Sequence, residues 1–226
     1  MAWTALVPHR RGILIGGGVA LVAVVLVLLT LQRPSPPMYA PSPVVPDSAG
    51  EARVGPVLRT VDATASDRWT HFSFQAGAVV RDPGPTDWDL AFRRFQIIAN
   101  GGQGFFGEGG ILDLGEIPFD EVRTVPTGGY VPTVARGDSV NAAIREWYDY
   151  SFLSHLLSPR PRVYAVRTAD GRFAKLELLG YYCPGAQPGC VTFRYVYAGD
   201  GGSDLQPAKG GGAAPAEDRT TYLPDP

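Results

Sequence analysis

Polar and apolar residues alternate through the middle of the chain, and that alternation predicts strands. Trp88, Leu90 and Phe92 take turns with Asp89 and Ala91, the period of two that sends successive side chains to opposite faces of a sheet. Strand-like runs recur at residues 68–74, 88–98, 162–168, 172–182 and 191–198. In the last, Val191, Phe193, Tyr195 and Tyr197 share one face, with Thr192 and Arg194 on the other. Asp170-Gly171, set between RVYAVRT and RFAKLELLGYY, predicts a tight hairpin. One helical stretch is expected at 138–148, with Asp138 or Ser139 as its cap.

Within 88–98 the apolar parity switches from Leu90 and Phe92 to Phe95 and Ile97, with Arg93 and Arg94 at the switch. A one-residue bulge between Phe92 and Phe95 would swap the buried parity in this way. The two arginines would then reach solvent, pair with Asp87 or Asp89, or meet a ligand or partner surface.

Patterning changes completely at the N-terminus. Residues 12–32, GILIGGGVALVAVVLVLLTLQ, carry no charge, and about 31 Å of helix would cross a hydrocarbon core of ~30 Å. Arg10 and Arg11 precede the stretch and only Arg33 closely follows, so the expectation is a single span in the inner or cytoplasmic membrane. Residues 1–11 would then be cytoplasmic and the C-terminal domain periplasmic or extracellular. A cleaved signal peptide fits less well, because its apolar region runs to only ~7–15 residues. Gly16, Gly17 and Gly18 would let another membrane helix approach closely.

Seven prolines in the 24 residues 33–56 predict an extended stalk. The β domain is expected over 57–198. A Gly- and Pro-rich tail over 199–226 lacks apolar periodicity. Two of the 20 basic residues precede the span and none of the 22 acidic ones do, leaving the remainder at a formal charge of −4. That balance excludes a nucleic-acid footprint, which wants a basic face.

Cys183 and Cys190 are the only cysteines. Set in YYCPGAQPGCVTF among turn residues of an exported domain, they predict a disulfide closing a hairpin loop. The spacing suits neither a CxxC redox pair nor a zinc site. Gly102, Gly104 and Gly107 satisfy GxGxxG. The next residues, Glu108-Gly109-Gly110, do not propagate the helix a dinucleotide site requires, which leaves a glycine-rich connection or edge strand. Ser151 and Ser154 neighbour His155 without a GxSxG frame, and no acidic cluster is dense enough for an oxygen-ligated metal. No catalytic residue and no metal site are therefore expected. His71 and His155 are the two histidines of the domain, and a pair of imidazoles is one way to hold haem iron axially.

WTHFSFQAGAVV (69–80), WDLAFRRFQIIANGG (88–102), YAVRTADGRFAKLELLGYY (164–182) and VTFRYVY (191–197) together resemble the HmuY-like family of exported β-rich proteins, whose founding members bind haem. The resemblance implies an all-β domain with a haem cleft in some members, ligated by paired histidines or paired methionines. Met1 and Met38 both lie outside the domain, so a methionine pair is excluded.

The fold class expected is therefore mainly β, an antiparallel HmuY-like domain preceded by a single transmembrane helix. The first functional reading is a non-enzymatic accessory subunit without a cofactor. It would sit in the lipid bilayer and brace other membrane-protein subunits of a larger, respiratory or photosynthetic, complex through Gly16, Gly17, Gly18, Arg93 and Arg94. The alternative is a membrane-tethered haem-binding protein for capture or relay, with His71 and His155 as axial candidates.

Overall fold

A computed structural model of the chain describes residues 7–31, 35–44, 52–136 and 138–206, with side chains in the N-terminal helix described over 16–28. The chain divides into a small unit, built on that helix with Phe152–Ser154, and a large unit holding every strand among the described residues.

The helix, α1, spans Val7–Leu31. Among the described residues no helix is long and apolar enough to cross a membrane. The single span expected over 12–32 therefore gains no support. A Cβ built on Gly16, Gly17 or Gly18 meets nothing within 4 Å. Residues 1–6, the stalk over 45–51 and the tail beyond 206 lie outside the described residues.

The large unit is antiparallel. A five-stranded sheet joins β1 (Arg53–Asp62), β6 (Gly110–Gly115), β11 (Val163–Arg167), β12 (Phe173–Cys183) and β13 (Gln187–Ala198), in the order β1-β13-β12-β11-β6. A four-stranded sheet joins β2 (Thr70–Ser73), β3 (Ala78–Val80), β4 (Leu90–Arg93) and β5 (Gln96–Ala99), in the order β3-β2-β4-β5. Two short hairpins complete it: β7 (Val134–Arg136) with β8 (Asp138–Val140), and β9 (Tyr148–Tyr150) with β10 (Leu157–Pro159).

Alternation does the sorting. Phe72, Phe74, Leu90 and Phe92 of the smaller sheet pack with Leu176, Leu178, Val191, Phe193, Tyr195 and Tyr197 of the larger in one buried cluster. The face expected for β13 is thus the core face. The opposite parity of the larger sheet, with Val163, Ala165 and Val196, buries a second cluster under Phe119, Val122, Val125 and Leu205. The hairpin expected at Asp170-Gly171 forms, with the Thr168 amide bonded to the Arg172 carbonyl and Gly171 at φ +83°.

Two local expectations are corrected. The run 88–98 is not one bulged strand but a hairpin: Arg93 pairs with Gln96 across a two-residue turn, Arg94-Phe95. A tight turn changes parity as a bulge would, which is why the pattern alone does not separate them. The helix expected over 138–148 is absent; β8, a run of turns and β9 occupy it. There Asn141 accepts from the Ala143 amide and donates to the Val131 carbonyl, while Trp147 is fully buried with its indole N–H on the Phe95 carbonyl. Burying Trp147 and the local Asn bond outweigh a helix propensity worth only tenths of a kcal/mol per residue.

Described residues on both sides of 57–198 contact the two-sheet domain. Residues 203–206 dock through the Leu205 amide on the Arg123 carbonyl, and Leu205 is buried. At the other end, part of the expected stalk lies on the larger sheet as a strap. The Tyr39 amide bonds the Tyr182 carbonyl and the Ser42 amide bonds the Thr60 carbonyl.

Candidate functional site

The Arg94-Phe95 turn starts the site. Arg94 adopts φ +55° and donates its amide to the Ala63 carbonyl at 2.8 Å. Its guanidinium donates to the carbonyls of Thr64 (3.1 Å) and Pro188 (3.0 Å). Arg93 instead bonds the Gln96 side chain at 2.8 and 3.0 Å and lies 4.5 Å from the centre of the Trp69 ring. Both arginines therefore act in holding the turn. Pro188 belongs to the loop closed by the Cys183–Cys190 disulfide, with Cα atoms 4.9 Å apart, as expected from the sequence.

Held this way, the turn presents Phe95, 44 % exposed, to a cavity of about 370 Å³. Ile97 from β5, Val140 from β8 and Tyr148 from β9 give it apolar and aromatic walls, and Arg145 and Glu146 give it one pair of charges, 3.2 Å apart. Tyr148 meets Phe95 edge to face at 5.7 Å. A volume in this range with aromatic walls and few charges is the usual form of a small-ligand site. Arg145 is suited to a carboxylate on such a ligand.

Beside it runs the β9–β10 hairpin. The Tyr150 hydroxyl and His155 Nδ1 share a hydrogen bond of 2.6 Å, and both residues are exposed. His155 has φ +57°, with its amide on the Ser151 carbonyl. Tyr148 and Tyr150 are two residues apart on one strand, so they share a face.

His71 sits elsewhere. It lies on β2, on the face of the smaller sheet turned away from the main core, and packs edge to face on Trp88 at 4.7 Å. Burial lowers its pKa below the usual imidazole value. No described contact joins His71 to His155, and neither lines the cavity. GxGxxG falls in an irregular connection between β5 and β6 without a helix. Among the described residues, no group of three or more His, Cys, Asp or Glu side chains is arranged to hold a metal ion.

A second cavity, about 240 Å³, lies by Lys175. The ammonium donates to the carbonyls of Phe119 (2.8 Å) and Val122 (2.6 Å) and lies 4.3 Å from the centre of the Phe119 ring. Burial lowers its pKa. Its bonds fasten the 119–122 turn to β12, a structural role.

The sequence pattern marks Phe95 only as part of a parity switch and gives Arg145, Tyr148 and Tyr150 no site role. The strand-like alternation of Trp147-Tyr148-Asp149-Tyr150 begins inside the stretch 138–148 expected to be helical, which hides it.

Comparisons with known proteins agree with this architecture. No curated protein matches. Among solved structures, an apo HmuY analogue from Tannerella forsythia shares 19 % identity, covering 66 % of this chain and 97 % of that one, with a TM-score of 0.52. A protein from Bacteroides vulgatus provisionally described as HmuY-like and haem-binding shares 24 % identity over 66 % of this chain and 97 % of its own, with a TM-score of 0.51. A provisionally described lipoprotein from Bacteroides fragilis shares 20 % over 62 % and 88 %, also at 0.51. At these identities the likeness is one of fold. The family of the HmuY protein matches residues 65–195, more than half of the sequence and nearly all of the two-sheet domain, and the chain belongs to that family.

Proposed function

We propose that this chain is a non-enzymatic haem-binding carrier, exported and held at a membrane through its N-terminal segment. The observation that carries the reading is the cavity at the Arg94-Phe95 turn, in a chain that belongs to the HmuY family. Phe95, Ile97, Val140 and Tyr148 would lie against a planar apolar macrocycle, and Arg145 would meet a carboxylate at its edge. Bound haem would supply an iron centre for transport or relay. The donor set beside the cavity, phenols and one imidazole, includes accepted ligands for ferric haem iron.

Family membership weighs for this reading over an accessory subunit bracing a membrane complex. The likeness in fold to a provisionally described lipoprotein supports export and tethering, and α1 is the segment that would serve as the tether. Titration of the full chain with haemin tests the reading. A saturable change in the Soret band near one equivalent is expected, and a purely linear, non-saturating response would overturn it.

A further inference from the structure

We infer that the cavity at the Arg94-Phe95 turn recognises the macrocycle and the carboxylate of its ligand and not the metal, so that metal-free porphyrin is carried as well as haem; the inference rests on the haem-carrier reading. It starts from the donors in the wall. Proteins hold haem iron through histidine, cysteine, methionine or tyrosine. Among the described residues the lining contains no histidine, cysteine or methionine, and Tyr148 is its one phenol. His71 packs on Trp88, and Tyr150 and His155 are bonded to each other outside the lining.

Three other polar groups of the wall are engaged within the protein. The Gln96 side-chain oxygen accepts twice from Arg93, at 2.8 and 3.0 Å. The Asn141 side chain accepts from the Ala143 amide and donates to the Val131 carbonyl. The Glu146 carboxylate places one oxygen 3.2 Å from the Arg145 guanidinium and the other 3.9 Å from that of Arg160. Coordinating iron at any of them would break a contact that the wall already makes.

What the cavity offers instead is an aromatic corner. The rings of Phe95 and Tyr148 stand 5.7 Å apart at 68° to one another, so a flat conjugated ligand lying on the face of one meets the edge of the other. The corner is set before any ligand arrives. Trp147, fully buried, meets Tyr148 edge to face at 5.3 Å and donates its indole N–H to the Phe95 carbonyl at 2.8 Å. Arg94 fastens the same turn. Tyr148 is thus built in as wall, its ring packed against two others, and a preformed wall binds without the cost of ordering itself. Arg145, with a side chain 65 % exposed, adds a planar fork of five N–H donors suited to a carboxylate. Stacking and a carboxylate contact are the same for a porphyrin with or without iron.

The test compares two ligands on the full chain: haemin, followed by its Soret band, and metal-free protoporphyrin, followed by its fluorescence. Both should saturate near one equivalent, with haemin no more than about fivefold the tighter. Phe95→Ala should weaken both in parallel, roughly 3–10-fold, and Arg145→Gln roughly 2–5-fold. Tyr148→Phe keeps the ring and removes the oxygen, and should bind both as wild type does. His71→Asn and His155→Asn should also leave haemin binding unchanged; asparagine tolerates the left-handed backbone of residue 155.

Haemin that saturates while metal-free protoporphyrin does not, or a gap wider than about fivefold, overturns the inference and leaves the carrier reading in place, since the iron is then what is held. Haemin binding lost selectively in Tyr148→Phe or in either histidine variant does the same. Unchanged binding in both Phe95→Ala and Arg145→Gln places the ligand outside this cavity and overturns it too. If neither ligand saturates, the carrier reading fails and the inference with it. The comparison on wild type needs no variant, so a substitution that fails to fold does not blunt the test.

Discussion

Asp89 Oδ1 accepts a hydrogen bond from the amide of Ala169 at 2.9 Å, across 80 residues of sequence. Its other oxygen accepts from the amide of Phe74 at 2.7 Å. One carboxylate, just before β4, thus ties the end of β2 in the smaller sheet to the β11–β12 turn of the larger. It is 6 % exposed, and burial raises its pKa to about 6 despite the two amides that favour the charged form.

The pH dependence of stability follows from that shift. Between about pH 4 and 6 the folded protein binds a proton at Asp89 that the unfolded chain has released, so the Asp89 contribution to stability falls as pH rises through this window. Two pKa units correspond to about 3 kcal/mol. Asp89→Asn cannot titrate and can offer only one acceptor oxygen to two amides, so it should be less stable than wild type. The gap should narrow as pH rises from 4 to 7, measured by urea unfolding across that range. A gap independent of pH would show that Asp89 is already ionised at pH 4.

Arg94 carries two opposing costs. Its guanidinium holds the Thr64 and Pro188 carbonyls while its backbone sits at φ +55°. Arg94→Ala removes the bonds and keeps the strained backbone, for an expected loss of about 1–3 kcal/mol. Arg94→Gly removes the bonds and relaxes the strain, so it should lose less. Urea midpoints should order wild type, glycine, alanine from most to least stable. Alanine above glycine would mean that backbone strain is immaterial here.

Cutting the Cys183–Cys190 link should destabilise the domain without unfolding it. Loop-closure entropy for so short a ring gives about 2.5 kcal/mol. Unfolding with and without a phosphine reductant reads this directly, and the double Cys→Ser variant should match the reduced protein. Because Pro188 lies inside the ring and accepts from Arg94, the loss from Arg94→Ala should shrink in that background.

Gly180 is where the strap meets the sheet. A Cβ there would lie 2.8 Å from Cδ2 and Cε2 of Tyr39, closer than carbon atoms pack. Gly180→Val should lift the ring and free the amides of Tyr39 and Ser42. Their hydrogen exchange should accelerate about 5–30-fold, the equivalent of 1–2 kcal/mol of local stability. Interior amides of β13 should keep their protection; if they too accelerate, the strap is part of the cooperative core.

Much of the architecture was written in local pattern. Alternation is a property of neighbouring residues, so the strands, the buried face of β13 and the Asp170-Gly171 turn follow from short stretches of chain. The pairing of Cys183 with Cys190 follows from the turn residues between them. The tertiary structure decided what pattern leaves open. A parity switch is the same in sequence for a bulge and a tight turn; the hairpin at Arg94-Phe95 forms because carbonyls of Ala63, Thr64 and Pro188 stand where the Arg94 amide and guanidinium reach them. The stretch 138–148 has helical residues, but Trp147 gains more by burial against distant strands than the helix gains locally. Phe95, Val140 and Tyr148 line one cavity because three separate turns fold them together, and no local period encodes contacts between segments that only the packed sheets bring to one place.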